Sequence, residues 1–394
     1  MILYPMDKTS GKTPVRELSG EEILANIKAI GPALHARGSD IEELRRIPGD
    51  ILDIVRQSGA FRMMMPRKWG GPQMNPMQIN EALEELATGN AAVAWVVMIQ
   101  MDSGLYSGLL DEKIARQMYS QLDMTTSNVI RAAGRARRVD GGYVVNGRWP
   151  FASGCLHTDW FAGGCLVFED DGSGPLLNAS GQPLNHMIMA TREEFQIHDT
   201  WYTTGLRGTG SNDIEARNLF VPEERVFTFE DASHEGALYQ WPALLCAKMP
   251  GVVLGIARAA IENVTGFMKD KKVKTERASL AVADAHALYA SARSYVYHSL
   301  NVLWARLESG QQPTEQERVD VFLARANAFQ ASRAAVQILF DAVGGPAVYA
   351  RKSVLERHLR DLNTACQHIM AQRGGQLAAG ELILGAYEES YPFL

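Results

Sequence analysis

The chain has 394 residues and a formal net charge of −6, with 46% hydrophobic and 21% charged residues. These proportions are ordinary for a soluble globular protein, and they exclude a collagen-like, low-complexity or disordered chain. The small excess of acidic residues provides no overall attraction to nucleic acid or to an anionic membrane. We therefore expect neither of these as a partner.

The cysteines indicate a reducing compartment. They are too few and too widely spaced to form a disulfide framework: Cys155, Cys165, Cys246 and Cys366. The first residues carry no long apolar run after a basic start, so we expect no secretory signal and a cytoplasmic location. Histidines and cysteines do not occur at metal-ligand spacings, and we predict no metal site.

The first third of the chain is predicted to be helical. Apolar residues recur three and four positions apart, as at Ile23, Ile27 and Ile30, and the breaks between segments carry Gly, Pro or Asn. The predicted helices cover residues 21–36, 41–58, 76–87, 91–109 and 111–121.

Short strands replace the helices from about residue 125. A turn at 140–142 followed by a Tyr/Val-rich strand predicts a hairpin over 139–149 that ends at Asn146–Gly147. Further strands are predicted at 159–168, 187–191, 195–201 and 214–221. We expect this part to form a small β-barrel or sandwich.

Long helices return near residue 241. They are predicted at 241–272, 279–310, 314–343, 353–371 and 375–385. Thr314 and Glu317 fit a capping box, and an alanine-rich stretch favours close packing in a bundle. The predicted fold class is α+β in three domains: an N-terminal helical domain (1–124), a middle β-domain (125–235) and a C-terminal four-helix bundle (236–394).

Residues 146–160, NGRWPFASGCLHTDW, place aromatic side chains beside small hydroxyl residues. Trp149 and Phe151 offer an apolar wall for a planar heterocycle, and Ser153 offers a hydrogen bond to one of its heteroatoms. A tryptophan buried in a β-core beside a serine turn explains the same pattern.

Three further features are candidates for a ligand site, and two of them have a second interpretation. The segment 205–213, GLRGTGSND, allows close backbone approach to a ligand and equally suits an ordinary loop. Gly344 and Gly345, between two helices, offer backbone N–H groups to an anionic group such as pyrophosphate. His368, in an apolar helical context, is either a functional group or a core histidine with one hydrogen bond.

The order of these parts, with GG and VLERHLRD in the last one, resembles the acyl-CoA dehydrogenase superfamily over nearly the whole chain. In that superfamily a flavin lies between the β-domain and the C-terminal helices, and the base is commonly a glutamate shortly after an Arg-Asp pair. Arg360 and Asp361 match the pair, but Ile369 occupies the glutamate position. Isoleucine cannot abstract a proton, which argues against acyl-CoA dehydrogenation by this route.

The segments WPFASGCLHTDW, GLRGTGSND and TACQH together are similar to one branch, the two-component (group D) flavin-dependent monooxygenases. The resemblance implies that O2 and reduced flavin, FADH2 or FMNH2 from a separate flavin reductase, form a C4a-(hydro)peroxyflavin. It further implies hydroxylation of a small aromatic substrate of phenol or indole type by a homotetramer.

Residue roles follow from the same resemblance. Ser153 matches a hydroxyl near flavin N5, and His368 matches a histidine that acts as a base or steadies the peroxide, for which an imidazole pKa near neutrality is suitable. The implied flavin contacts are Asn128, Trp149, Phe151, Ser153, Arg277, Gly344 and Gly345. Gln100, Met101 and Tyr106 are predicted to line the substrate pocket, with His157 near its mouth.

Other activities remain open on the sequence. They are an acyl-CoA dehydrogenase or oxidase with a relocated base, an N-oxygenase of an amine substrate, and a non-catalytic scaffold that keeps the fold. An aromatic substrate is favoured over an aminosugar because an aminosugar pocket is expected to carry more charge.

Overall fold

The computed structural model describes residues 17–169, 174–177, 181–229, 234–272, 275–350 and 353–387. Its N-terminal part is helical, as predicted. The helices are α1 (Gly20–Ala36), α2 (Gly38–Leu44), α3 (Gly49–Gln57), α4 (Pro76–Gly89), α5 (Ala91–Gln100), α6 (Ser103–Tyr106) and α7 (Glu112–Met118).

Two predicted N-terminal helices are each divided in two. The predicted helix 41–58 is interrupted because Arg45 adopts a left-handed backbone with a φ of 53°, and Pro48 then precedes α3 in an extended conformation. The predicted helix 91–109 ends at Gln100 and resumes only as the short α6. These breaks place Met101 and Asp102 in the turn between α5 and α6.

The middle part consists of one seven-stranded mixed sheet with the order β5-β6-β2-β1-β3-β4-β7. The strands are β1 (Thr126–Val139), β2 (Gly142–Ala152), β3 (Trp160–Phe168), β4 (Asn185–Thr191), β5 (Gln196–His198), β6 (Asn212–Pro222) and β7 (Val226–Phe227). The hairpin turn at 140–142 is confirmed, since Val139 pairs with Gly142. Asn146–Gly147 is not a turn, because β2 continues through it with an irregular register against β6.

The C-terminal part is helical again. Its helices are α8 (Leu244–Ala247), α9 (Met249–Asp270), α10 (Glu276–Glu308), α11 (Glu315–Val343), α12 (Leu355–Ala365) and α13 (Arg373–Ile383). The capping box of Thr314 and Glu317 is confirmed at the start of α11. The stretch Leu244–Asp270 is long and apolar enough to cross a membrane, but 89% of its apolar window is buried inside the protein, as in a core helix.

The two helical parts share one hydrophobic core. Side chains of α1, α4 and α5 belong to the same buried cluster as those of α9, α10 and α11, whereas the sheet has a smaller core of its own around Trp149. Glu84 on α4, 1% exposed, binds Tyr289 and Arg293 on α10. The division of the chain at residues 124 and 235 remains a prediction.

Candidate active site

Helix α5 carries the first residue of the site. Asn90 caps it, since the side-chain oxygen accepts hydrogen bonds from the N–H groups of Ala92 and Val93 at 3.0 and 3.2 Å. Nearly all side chains of α5 are buried, so Trp95 is held in one orientation. Its indole N–H donates to the hydroxyl of Ser153 at 3.3 Å.

Hydroxyl groups join the two sequence motifs at 146–160 and 205–213. Ser153 Oγ lies 2.8 Å from Ser211 Oγ, which lies 2.7 Å from Thr209 Oγ1. Both segments therefore contribute to one buried polar cluster.

The donor and acceptor in each of these hydrogen bonds follow from Thr209, the last residue of the series. Thr209 donates its only hydroxyl hydrogen to the carbonyl oxygen of Leu206 at 2.8 Å, so Ser211 donates to Thr209 and Ser153 donates to Ser211. Ser153 Oγ accepts one hydrogen bond from Trp95. One lone pair of Ser153 Oγ is left, and it can accept a hydrogen bond from an N–H group of a ligand.

Gln100 fixes the turn that follows Ser153. Its Nε2 donates to the carbonyl oxygen of Gly154 at 2.9 Å and to Ser127 Oγ at 3.3 Å, and Ser127 donates to the carbonyl oxygen of Ser153 at 2.7 Å. Gly154 has a φ of 75°, and an added Cβ would lie 2.7 Å from that nitrogen, so only glycine fits. Gln100 Oε1 is buried without a hydrogen-bond partner among the described residues.

The structure separates the two predicted aromatic walls. Trp149 is 0% exposed in the core of the sheet, where its indole N–H donates to the carbonyl oxygen of Gly164 at 2.9 Å. The prediction that Trp149 walls a ligand is therefore wrong for this chain. Phe151 is 68% exposed, and its ring meets the edge of Trp201 at a centroid distance of 6.2 Å. It alone of the two offers a free aromatic face.

His368 lies close to this cluster but outside a helix. It precedes a short 3-10 turn (Ile369–Ala371), and its Nδ1 accepts a hydrogen bond from the N–H of Met370 at 3.2 Å. Its ring lies 5.7 Å from the indole of Trp95. Burial and the positive charge of Arg325 lower the pKa of His368 to about 4, which corrects the expectation of a pKa near neutrality.

The protonation state of His368 follows from these contacts. A pKa of about 4 leaves the imidazole neutral at pH 7. Because Nδ1 accepts a backbone hydrogen bond, the ring hydrogen resides on Nε2. At neutral pH the free nitrogen of His368 is consequently a hydrogen-bond donor.

The Arg360-Asp361 pair has a structural role. The Asp361 carboxylate, whose pKa burial raises to about 7, accepts a hydrogen bond from the N–H of Leu206 at 2.6 Å. A Cβ at Gly205 would lie 2.1 Å from the carbonyl oxygen of Arg360, so the chain approaches α12 as closely as glycine allows. The pair holds segment 205–213 against the helix that leads to His368.

Asn128 belongs to a buried charged group that the sequence did not indicate. Its Nδ2 donates to Asp102 Oδ2 at 3.1 Å, and Asp102 Oδ1 is ion-paired with Lys248. The Asp102 and Lys248 side chains are 2% and 3% exposed. Burial outweighs the attraction of Lys248 and raises the pKa of Asp102 to about 6.

The predicted pocket residues occupy two places. Met101 and Tyr106 are fully buried in the core shared by the helical parts, where the Tyr106 ring packs against Phe227 at 5.2 Å. His157 is half-buried, and burial with the charges of Arg46 and Arg56 lowers its pKa to about 4. His157 thus faces the side of the molecule that carries α2 and α3.

The predicted phosphate contacts form a separate group. Arg277 lies in an open groove of about 560 Å³ between α10 and α11 and donates to the carbonyl oxygen of Asp341. Gly344 ends α11 with a φ of 69°, and added Cβ atoms at Gly344 or Gly345 would meet nothing within 4 Å. The backbone at this end of α11 is therefore open to a ligand.

These residues fit a flavin. The exposed ring of Phe151 suits the face of a planar heterocycle, and the lone pair of Ser153 Oγ suits the N–H that a reduced flavin carries at N5. Arg277 and the two glycines suit an anionic tail. Sequence reasoning missed four polar partners: Trp95, Ser127, Asp102 and Lys248. A polar residue interrupting an apolar run, as Lys248 does in 241–261, is the one signal that was available.

Comparisons with known proteins relate the chain to flavin-dependent monooxygenases. Residues 248–373 match the family model "Acyl-CoA dehydrogenase, C-terminal domain". The chain is 27% identical over 367 residues to the flavin-dependent monooxygenase oxygenase subunit HsaA of Rhodococcus jostii, covering 88% of this chain and 93% of the relative. It is 26% identical to the indole-3-acetate monooxygenase of Acinetobacter baumannii, covering 89% and 92%.

A solved structure shares the fold. XiaF from Streptomyces sp., in complex with FADH2 and glycerol, superposes with a TM-score of 0.85 at 22% identity, covering 95% of this chain and 98% of that one. The fold is that of the acyl-CoA dehydrogenase superfamily. Within it, the chain is similar over most of its length to the oxygenase subunits of flavin-dependent monooxygenases.

Proposed function

We propose that this protein is the oxygenase component of a two-component monooxygenase that hydroxylates a small aromatic substrate of phenol or indole type. One observation carries the proposal: the Ser153 hydroxyl is fixed by Trp95 and Ser211 beside His368, while Ile369 stands where a dehydrogenase has its base. Reduced flavin, when bound, supplies the electrons with which one atom of O2 enters the substrate and the other leaves as water.

The hydroxyl chain gives Ser153 its role. Because its own hydrogen is directed to Ser211, Ser153 Oγ could meet a bound flavin only as an acceptor. An acceptor at the N5–H of reduced flavin would hold that hydrogen in place, and water-excluding neighbours such as Trp95 would slow its loss. Asn128, at the start of β1, is proposed to contact the same ring system.

His368 is proposed to act as a hydrogen-bond donor. Its neutral ring directs Nε2–H away from the Nδ1 contact with Met370, so it can stabilise negative charge that develops on an oxygen atom. The lowered pKa is unsuitable for a base that must accept a proton at neutral pH.

The flavin phosphates are proposed to bind Arg277, Gly344 and Gly345 of a neighbouring copy in a homotetramer. Arg277 lines a groove that shares none of its lining residues with the Ser153 cluster, and the two glycines follow the end of α11, which forms one wall of that groove. A separate flavin reductase is proposed because the relative from R. jostii is named an oxygenase subunit. The four buried free cysteines are consistent with the cytoplasm.

Oxygen transfer tests the proposal directly. The full chain is mixed anaerobically with photoreduced FAD or FMN and then with ¹⁸O2, together with a panel of phenols, indoles and aromatic amines. We expect a product with one ¹⁸O atom from a phenol or indole, and little H2O2. Absence of labelled product over the panel, with reduction of bound oxidised flavin by an acyl-CoA, would refute the proposal in favour of a dehydrogenase.

A further inference from the structure

Among the described residues, the Lys248–Asp102 pair is the most deeply buried ion pair that the functional assignment leaves unused. Lys248 is the single residue between α8 and α9, and Asp102 lies in the turn between α5 and α6. Taking two charges out of water is costly and has to be offset by hydrogen bonds that satisfy both groups. The hydrogen bonds of the two groups are therefore informative.

Asp102 has a hydrogen-bond partner for each carboxylate oxygen, whereas the Lys248 ammonium has more donors than partners. Each Asp102 carboxylate oxygen has a partner, Lys248 or Asn128. The Lys248 ammonium has three donors, and among the described residues it finds one hydrogen-bond acceptor, Asp102. Two donors of a 3%-exposed ammonium are thus available to an acceptor. Leaving them unused would be costly in the interior.

Unused hydrogen-bonding groups gather beside the pair. Tyr106 lies one helical turn beyond Asp102, with its N–H donating to the Asp102 carbonyl oxygen at 2.8 Å. The Tyr106 hydroxyl is buried and has no partner in the described part of the chain. Both charged side chains also act electrostatically on the thiol of Cys246, which places Cys246 close to them. A polar ligand atom here would meet several donors at once.

The charge of the pair selects the kind of ligand atom. Lys248 and Asp102 balance each other, so a buried carboxylate added beside them would leave a net negative charge in a low-dielectric interior. An uncharged carbonyl or hydroxyl oxygen can accept from the ammonium without that cost.

Distance relates this group to the site of oxygenation. Trp95 contacts Ser153 and His368, and Asp102 lies seven positions later, in the turn that follows the end of α5 at Gln100. At helical rise, this spacing along the backbone is about 10 Å, which is of the order of the length of a bicyclic aromatic molecule with a short side chain.

We propose that Lys248, Asp102 and Tyr106 form a subsite for an uncharged oxygen at the far end of an aromatic substrate, and that the subsite discriminates against a carboxylate there. This inference rests on the proposed oxygenase function. Lys248 donates to the oxygen, Asp102 holds the Lys248 side chain in place, and Tyr106 adds a second hydrogen bond.

A matched set of indoles tests the subsite. Dissociation constants for indole-3-acetamide, 3-ethylindole and indole-3-acetate are measured by equilibrium dialysis with the full chain, anaerobically and saturated with reduced FAD. We expect the amide to bind about tenfold more tightly than 3-ethylindole, as for a hydrogen bond to a charged donor, and the acetate to bind most weakly.

Variants assign the effect to the pair. Lys248→Met should bring the amide to the affinity of 3-ethylindole, and Asp102→Asn should improve the acetate relative to the amide. Tyr106→Phe, which keeps the packing, should reduce the preference for the amide several-fold. Lys28→Met, at an exposed position on α1, is the control and should change none of the three constants.

Three results would overturn the subsite: tightest binding of the acetate, equal binding of all three indoles, or no binding of either uncharged indole. If Lys248→Met does not fold, the Tyr106→Phe variant still decides whether the preference depends on this group. The ¹⁸O experiment is independent. Labelled product without a preference for the amide refutes the subsite alone. A preference for the amide without labelled product, together with reduction of bound oxidised flavin by an acyl-CoA, refutes the oxygenase function alone.

Discussion

Replacing Glu84 by glutamine should lower the free energy of unfolding by about 3 kcal/mol. The carboxylate of Glu84 on α4 accepts a hydrogen bond from the Tyr289 hydroxyl and pairs with Arg293 at 2.9 Å and with Arg258 at 3.5 Å. The substitution keeps the size of the side chain and removes the charge that joins the N-terminal helices to α9 and α10.

The magnitude is the sum of unequal parts. A hydrogen bond to a charged group contributes about 1.5–3 kcal/mol, which applies to Tyr289. Arg293 is 37% exposed, and Arg258 is 23% exposed and keeps Glu85 at 2.9 Å. Each of these ion pairs is therefore worth only about 0.5 kcal/mol.

Urea unfolding followed by circular dichroism measures the loss. Glu85→Gln is the matched control, since Glu85 is 20% exposed and pairs with the same Arg258. It should cost less than about 1 kcal/mol. Equal losses in the two variants would show that the buried position of Glu84 has no special effect, and the reasoning would be refuted.

Three further predictions concern the site. Ser153→Ala leaves the buried indole N–H of Trp95 without its acceptor, so it should lower the free energy of unfolding in urea by about 1–3 kcal/mol. It should also raise the fraction of O2 that is released as H2O2. An unchanged H2O2 fraction would show that Ser153 does not protect the flavin. His368→Gln should abolish product formation while changing the flavin dissociation constant less than threefold. Because the folded pKa of His368 is about 4 against an ordinary 6.5, wild-type stability should fall as pH drops from 6.5 towards 4, and the variant should lose less over that range. Phe151→Ala should weaken flavin binding about tenfold, as measured by fluorescence titration. Because the ring is 68% exposed, the substitution should change the free energy of unfolding little. Unchanged flavin affinity would exclude a contact between the flavin and Phe151.

Periodicity was sufficient for most of the helices but not for their ends. The predicted helix over 353–371 stops at Ala365, which leaves His368 on extended backbone at a 3-10 turn. The apolar pattern continues past this point, so it contains no sign of the break. The tautomer of His368 depends on that break. The tautomer could therefore not be predicted from the sequence.

The aromatic pair shows why one wall was assigned wrongly. Residues two apart on a strand face the same side, which puts Trp149 and Phe151 together. Phe151, however, has a φ of 65°, so its side chain leaves the sheet while Trp149 enters the core. A left-handed non-glycine residue is uncommon and leaves no trace in composition.

The buried pair was missed for a different reason. Lys248 and Asp102 are 146 positions apart, and each is a single charged residue beside an apolar segment. The packing of α5 against α9 brings them together. By contrast, Ser153 and His368, which both contact Trp95, each lie in a short recognisable motif.

The common core of the helical parts affects how the chain folds during synthesis. Helix α4 packs against α9, whose first residue is made about 160 residues after α4 is complete. At about 5–20 residues per second, the ribosome needs roughly 8–32 s to supply that partner. During this interval the apolar faces of α1, α4 and α5 are without the helices that cover them. The nascent chain is thus a natural client for chaperones, and stalled or truncated products that end within the sheet should aggregate.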